Sequence, residues 1–253
     1  MSLALTSSID VAQVVLYVFW LFFAGLIFWI RREDRREGYP LEFDNPARVA
    51  RVGPIMMASP KVFDTDHGAV RAPNLQRDTR PMSATRTSEM PGSAYEPIGD
   101  PLLSQVGAAS FAARQDIVEH TLSGQNLVVP LRAAPEAKVF GGADPRGFDL
   151  VAADGAVVGQ ITDVWFDRAD VLVRYLEVDL KDGGGARLVP MPLVQLHGDT
   201  KKVTTSSLHS HQFVHVPKTK SADRVTVLEE EMIGAMFAGG RLYADPKRLG
   251  PVV

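Results

Sequence analysis

Cysteine is absent from this sequence. Disulfides, thiolate metal sites and cysteine nucleophiles are thereby excluded, as expected for a domain in a reducing cytoplasm. The GxSxG elbow, the Walker loop, GxGxxG and HExxH are missing as well. Neither an activated nucleophile nor a phosphate cradle is in evidence, and the pattern reads as a binding protein rather than an enzyme. A dominant charge is lacking too: 27 Lys and Arg stand against 30 Asp and Glu, for a net charge of −3. That balance points to no polyanion and hence to no nucleic-acid partner. Residues 1–10 hold neither Lys nor Arg, whereas a cleaved leader wants a basic segment before its apolar core.

What is present begins with "VAQVVLYVFWLFFAGLIFWI", from Val11 to Ile30, in which Gln13 is the one polar side chain. As a helix it spans about 30 Å, the hydrocarbon thickness of a bilayer. Arg31, Arg32, Arg35 and Arg36 follow at once. Because basic residues beside a span stay cytoplasmic, residues 1–10 are expected in the periplasm and everything after Arg31 in the cytoplasm. Trp29 and Tyr39 then fall near that interface, with Trp29 the better anchor. The alternative, a buried helix of a soluble protein, requires apolar partners around its whole circumference.

From Gly38 to Pro101 prolines are frequent, and no period of 3.6 or 2 is sustained. This stretch is expected to be extended chain. Val49, Val52, Ile55, Met56, Met57, Val62 and Phe63 make it too apolar for a free linker, so it lies along a surface, its own domain's or a partner's. Beyond it, "FDLVAADGAVVGQITDVWFD" offers a strand, an Asp154-Gly155 turn and a longer strand. "VLVRYLEVDLKDGGGARLVPMPLVQL" then sets Val173 and Tyr175 on one face and Arg174, Leu176, Val178 and Leu180 on the other. Several short strands suggest a small barrel or sandwich. In "TVLEEEMIGAMFAGG", Thr226 and Glu229 form a capping-box pattern, Leu228, Met232, Ala235 and Met236 an apolar face, and Gly239-Gly240 a stop. The fold class expected is one amino-terminal transmembrane helix plus a mainly β cytoplasmic domain with one short amphipathic helix.

"FWLFFAGLIFWI", "REGYPLE", "GDPLLSQVGAASFAARQD", "GQITDVWFD", "RYLEVDL", "RLVPM" and "AGGRLYADPKR" occur in that order. Together they resemble the H subunit of the purple-type bacterial photosynthetic reaction centre, with a PRC-barrel as its cytoplasmic domain. The resemblance covers nearly the full chain and is weakest between Phe43 and Glu96. It implies 1–10 as a periplasmic terminus, 11–30 as the span, 31–110 as an extended segment on partner chains, and 111–253 as the barrel domain. It further implies a photosynthetic inner or intracytoplasmic membrane, docking on the L and M chains, and a surrounding antenna and lipids. The H subunit itself holds no cofactor. Bacteriochlorophyll, bacteriopheophytin, quinones and non-haem iron belong to L and M, whose quinone sites the barrel shields while helping protons reach the secondary quinone. The alternative is a membrane-anchored PRC-barrel adaptor or assembly factor outside photosynthesis, since fold does not fix function.

Proton transfer needs closely spaced ionisable groups, and "DVWFDRADVLVRYLEVD" supplies Asp163, Asp167, Asp170, Arg174, Glu177 and Asp179. By resemblance Asp170 occupies the position of the family's internal proton-transfer Glu, Asp167 that of a nearby acid and Arg174 that of a basic neighbour. Glu177 joins them as a candidate, and Asp163, near the strand start, carries no assigned role. Without the resemblance the same stretch reads as a solvated loop of charge. Where better-known members carry a surface histidine pair and an Asp, this chain has Thr121, Ser123 and Gln125. His120 and Glu119 are the nearby substitutes, since imidazole titrates near neutrality. In "HSHQFVH", an extended strand would point His209, His211 and His215 the same way, compatible with Zn or Ni. The resemblance supplies no such cluster, so the expectation is no metal and a proton-buffering exposed loop.

Overall fold

The computed structural model describes residues 10–39, 55–65, 68–74, 80–90 and 92–248. The reading of Val49 and Val52 as apolar contact residues, like residues 1–9, lies outside them. The chain divides into two compact units, Met1–Thr79 and Arg80–Val253.

In the first unit, α1 runs Val11–Glu33 and a 3₁₀ turn follows at Asp34–Arg36. Asp10 caps α1 by accepting the Ala12 N–H, and Arg31 and Arg32 occupy its last turn, where cations meet unpaired carbonyls. No residue of α1 is buried, although its mean hydropathy reaches 2.3. A soluble protein does not leave such a surface bare, so bilayer is the solvent it fits. The described residues of the Pro-rich segment include paired strands. β1 (Lys61–Thr65) and β2 (Gly68–Ala72) form an antiparallel hairpin. Arg36 fastens this hairpin to the helix exit by donating to Glu33 at 2.7 Å, to the Ser59 carbonyl at 2.7 Å and to the Ala72 carbonyl at 3.0 Å.

The second unit starts with the hairpin of β3 (Ala84–Arg86) and β4 (Tyr95–Pro97). Its body is a seven-stranded sheet of β5 (Val128–Pro130), β6 (Asp149–Val151), β7 (Val157–Asp167), β8 (Leu172–Leu180), β9 (Gly185–Pro190), β10 (Val194–His197) and β11 (Lys202–Thr205). The order is β10-β11-β6-β7-β8-β9. β7 is long enough for β6 to pair its first half and β5 its second. The core between sheet and helix contains Leu150, Ile161, Val164, Leu176, Val178, Val189, Val203, Phe213 and Phe237, with Phe213 edge-on to Phe237 at 5.9 Å. Leu176, Val178 and Leu180 are buried as the alternation predicts. Tyr175 and Glu177 are buried as well, so β8 is covered on both faces.

Helix α2 (Val227–Tyr243) begins with the expected capping box: Thr226 Oγ1 accepts the Glu229 N–H, and Glu229 accepts the Thr226 N–H. Of two further expectations, one holds in part and the other fails. The buried face is Glu229, Ile233, Met236, Phe237, Gly239 and Gly240; of the expected Leu228, Met232, Ala235 and Met236, Met236 is buried and the other three are half-buried. The Glu229 carboxylate lies on the buried face, where it also accepts the Lys220 N–H at 2.7 Å. Gly239 and Gly240 do not stop the helix; they let it approach its neighbours. A Cβ on Gly240 would lie 2.4 Å from Leu208 and 2.7 Å from the Ser207 carbonyl, and one on Gly239 would lie 2.5 Å from Ala109. In an open helix Gly→Ala gains about 1 kcal/mol. Here overpacking costs more, and Gly240→Ala is expected to destabilise the chain by about 1–3 kcal/mol in urea unfolding. A gain in stability would show that the contact relaxes freely.

Candidate functional site

The β7–β8 hairpin positions two clusters of charge. Asp163 on β7 faces Glu177 on β8 in register, both nearly inaccessible at 4% and 8% exposure. Two carboxylates directly opposed are repulsive unless a cation joins them. Arg132, in the 3₁₀ turn after β5, is that cation: Nη1 donates to Asp163 at 3.0 Å and to Glu177 at 2.9 Å and 3.1 Å. Glu177 also accepts from the Trp165 indole at 2.8 Å and from Thr162 Oγ1 at 3.0 Å. Arg132 reaches on to Asp223 and the Ala222 carbonyl. Glu177 is therefore saturated with donors, which suits a structural brace better than the proton carrier expected of it. Asp163 is not the bystander that its place near the strand start suggested.

The second cluster gathers where the hairpin tip meets the first turn of α2. Asp167 is buried, and its Oδ1 accepts the N–H groups of Ala169 at 2.8 Å and Asp170 at 3.1 Å, tying the turn shut. Arg174 stands between two carboxylates, 3.9 Å from Asp167 and 3.8 Å from Glu230. At these lengths the contacts are ion pairs without direct hydrogen bonds. Burial raises the Glu230 carboxyl above its ordinary range, against the opposing pull of Arg174 and the Tyr175 hydroxyl. Burial likewise raises Tyr175, and the Glu230 charge adds to it. Glu230 Oε1 is buried with no hydrogen-bond partner among the described residues. Sequence reasoning passed over Glu230: nothing in "LEEEM" marks which acid beside the capping Glu229 is covered.

Asp170 is exposed at the tip, beside Val171, 78% exposed, and Leu172, 61% exposed. Val171 has φ of 55°, a left-handed conformation that a β-branched residue adopts only under constraint. The tip thus offers a carboxylate framed by two unpartnered aliphatic side chains. Glu119 and His120 are also exposed. His120 bridges Asn126 across a tight turn in which Thr121 and Ser123 share a hydroxyl–hydroxyl hydrogen bond of 2.9 Å. The structure brings Asp167, Asp170 and Arg174 together, and puts Glu177 in the separate Arg132 brace.

The histidine stretch departs from its expected conformation. Ser210–His215 is a 3₁₀ helix capped by His209, so the three histidines do not alternate as in a strand. His209 and His211 come together with Asp154, while His215 is not part of that group.

Residues 3–133, over half of the chain, match the model of the photosynthetic reaction centre H-chain N-terminal region. The chain belongs to the reaction-centre H-chain family. Residues 137–210 match the PRC-barrel domain, which is the mainly β body just described. This H chain is thus a non-pigment, accessory subunit of a light-driven electron-transfer complex, associated with the reaction centre and anchored by one apolar helix. The Asp167–Arg174–Glu230 cluster lies on the barrel and the first turn of α2.

Proposed function

We propose that this H chain caps the L and M chains on the cytoplasmic side, supports their assembly, shields the quinone sites and conducts protons to the secondary quinone. Its amino terminus lies in the periplasm, its span occupies 11–30, its 31–110 segment runs over the partner chains, and its 111–253 domain lies in the cytoplasm. Bacteriochlorophyll, bacteriopheophytin, quinones and iron are held by L and M, with antenna and lipids around them in the photosynthetic membrane. The observation that carries the reading is the hairpin tip: exposed Asp170, framed by Val171 and Leu172, stands next to buried Asp167, whose partner Arg174 also pairs with Glu230. Apolar residues around a carboxylate suit a surface that a partner covers, and an acid with a raised pKa behind it suits proton storage. Glu230 joins Asp170, Asp167 and Arg174 as a carrier, Glu119 and His120 collect protons in place of the missing histidine pair, and Glu177 keeps the brace.

Co-purification tests the assembly. A tagged chain drawn from detergent-solubilised membranes of a phototrophic host should carry bacteriochlorophyll absorption in constant ratio to protein. A colourless preparation would favour an adaptor or assembly factor outside photosynthesis.

A further inference from the structure

Asp154, at the β6–β7 turn, and His209 and His211, fifty-five and more residues later, place one ligand atom each within 4.8 Å of one another. Backbone bonds fix this meeting. Ala153 N–H donates to the Leu208 carbonyl at 2.9 Å, so the residues that follow, Asp154 and His209, are neighbours by construction. Leu208 and Ala152 are both buried, which anchors the two segments in the core. Asp154 is held further: Oδ2 accepts from Ser210 N–H at 3.0 Å and Ser210 Oγ at 2.7 Å, and Oδ1 accepts from Ala156 N–H at 3.2 Å. The Gln212 N–H donates to the His209 carbonyl at 3.0 Å and the His209 N–H to Gln212 Oε1 at 2.9 Å, which hold the His209 backbone, and the His211 ring lies edge-on to the His209 ring at 6.0 Å.

Two imidazoles and a carboxylate form a donor set for borderline divalent cations, and the Ser210 contacts orient the carboxylate as outer partners do in metal sites. We propose that Asp154, His209 and His211 bind a zinc-like divalent cation that staples the β6–β7 turn to the 3₁₀ segment. Ligands in a tetrahedral zinc site sit about 3.4 Å apart, closer than the present spread. His211 makes the adjustment, because it is exposed while Asp154 and His209 are held. The neutral His209 imidazole offers its one lone-pair nitrogen to the cation, and water fills the remaining coordination positions. The site differs from the His209, His211, His215 set read from an extended strand: His215 lines a separate pocket with Leu102, Gln105 and Met236.

The test is calorimetric titration of ZnCl₂ into the full chain in detergent, purified without a histidine tag, with circular dichroism confirming that each variant is folded. The wild-type chain should bind one equivalent. His211→Ala and Asp154→Asn should each weaken binding by about tenfold or more, and His215→Ala should leave it unchanged. The proposal is overturned if saturable binding is absent, if neither His211→Ala nor Asp154→Asn weakens it, or if His215→Ala weakens it equally.

Discussion

In reaction centres carrying an Asp170→Asn chain, the first electron transfer between the quinones is expected to proceed nearly unchanged, while the proton-coupled second transfer slows by about tenfold or more. Asn keeps the shape of the side chain and its place between Ala169 and Val171 but cannot carry a proton. Only the second transfer requires net proton delivery, so the two rates separate a conduction role from a packing role. Small weak acids in the buffer should restore part of the rate by carrying protons around the gap. Glu230→Gln should act in the same direction, because it removes an acid whose carboxyl burial holds above its ordinary range. Asp179→Asn, exposed on β8, serves as the control. Asp163→Asn cannot serve, since Asp163 is part of the Arg132 brace. Flash kinetics on purified complexes decides the matter. A second transfer that stays unchanged in Asp170→Asn across the neutral pH range would move the entry route to His120 and Glu119.

Removing the cation of the brace should have the largest effect on stability. Arg132→Met leaves Asp163 and Glu177 opposed on adjacent strands with nothing between them. Breaking a buried ion pair from one side costs about 3–5 kcal/mol. The Arg132 side chain is 39% exposed, so water shares the load and a loss of about 2–3 kcal/mol is expected in urea unfolding. Restoring neutrality distinguishes charge from packing. Adding Asp163→Asn to Arg132→Met should recover part of the loss, because a single remaining carboxylate, Glu177, keeps its Trp165 and Thr162 donors. A loss below about 0.5 kcal/mol for Arg132→Met would mean that the brace is a solvated surface pair.

The sequence by itself determined the elements whose physics is local. Twenty apolar residues ahead of an arginine cluster allow little but a membrane span, and α1 follows that run from Val11. The Asp154-Gly155 turn, the β7 and β8 strands and the Thr226–Glu229 cap were legible because period, turn chemistry and capping act within a few residues. The ordered segments "REGYPLE", "GQITDVWFD" and "AGGRLYADPKR" carried the family. Tertiary structure decided what depends on partners distant in the chain. Asp163 and Glu177 are buried against Arg132, thirty-one and forty-five residues away from them, and no local pattern records that. The same holds for Glu230, whose carboxylate meets Arg174 of β8, and for Gly239 and Gly240, which resemble a stop in sequence and prove to be points of close approach. It holds for the histidines as well: a 3₁₀ turn, not a strand, decides that His209 and His211 meet Asp154 and that His215 does not. Burial and charge pairing are sums over contacts made by the folded chain, so they are fixed only when the strands and helix have packed.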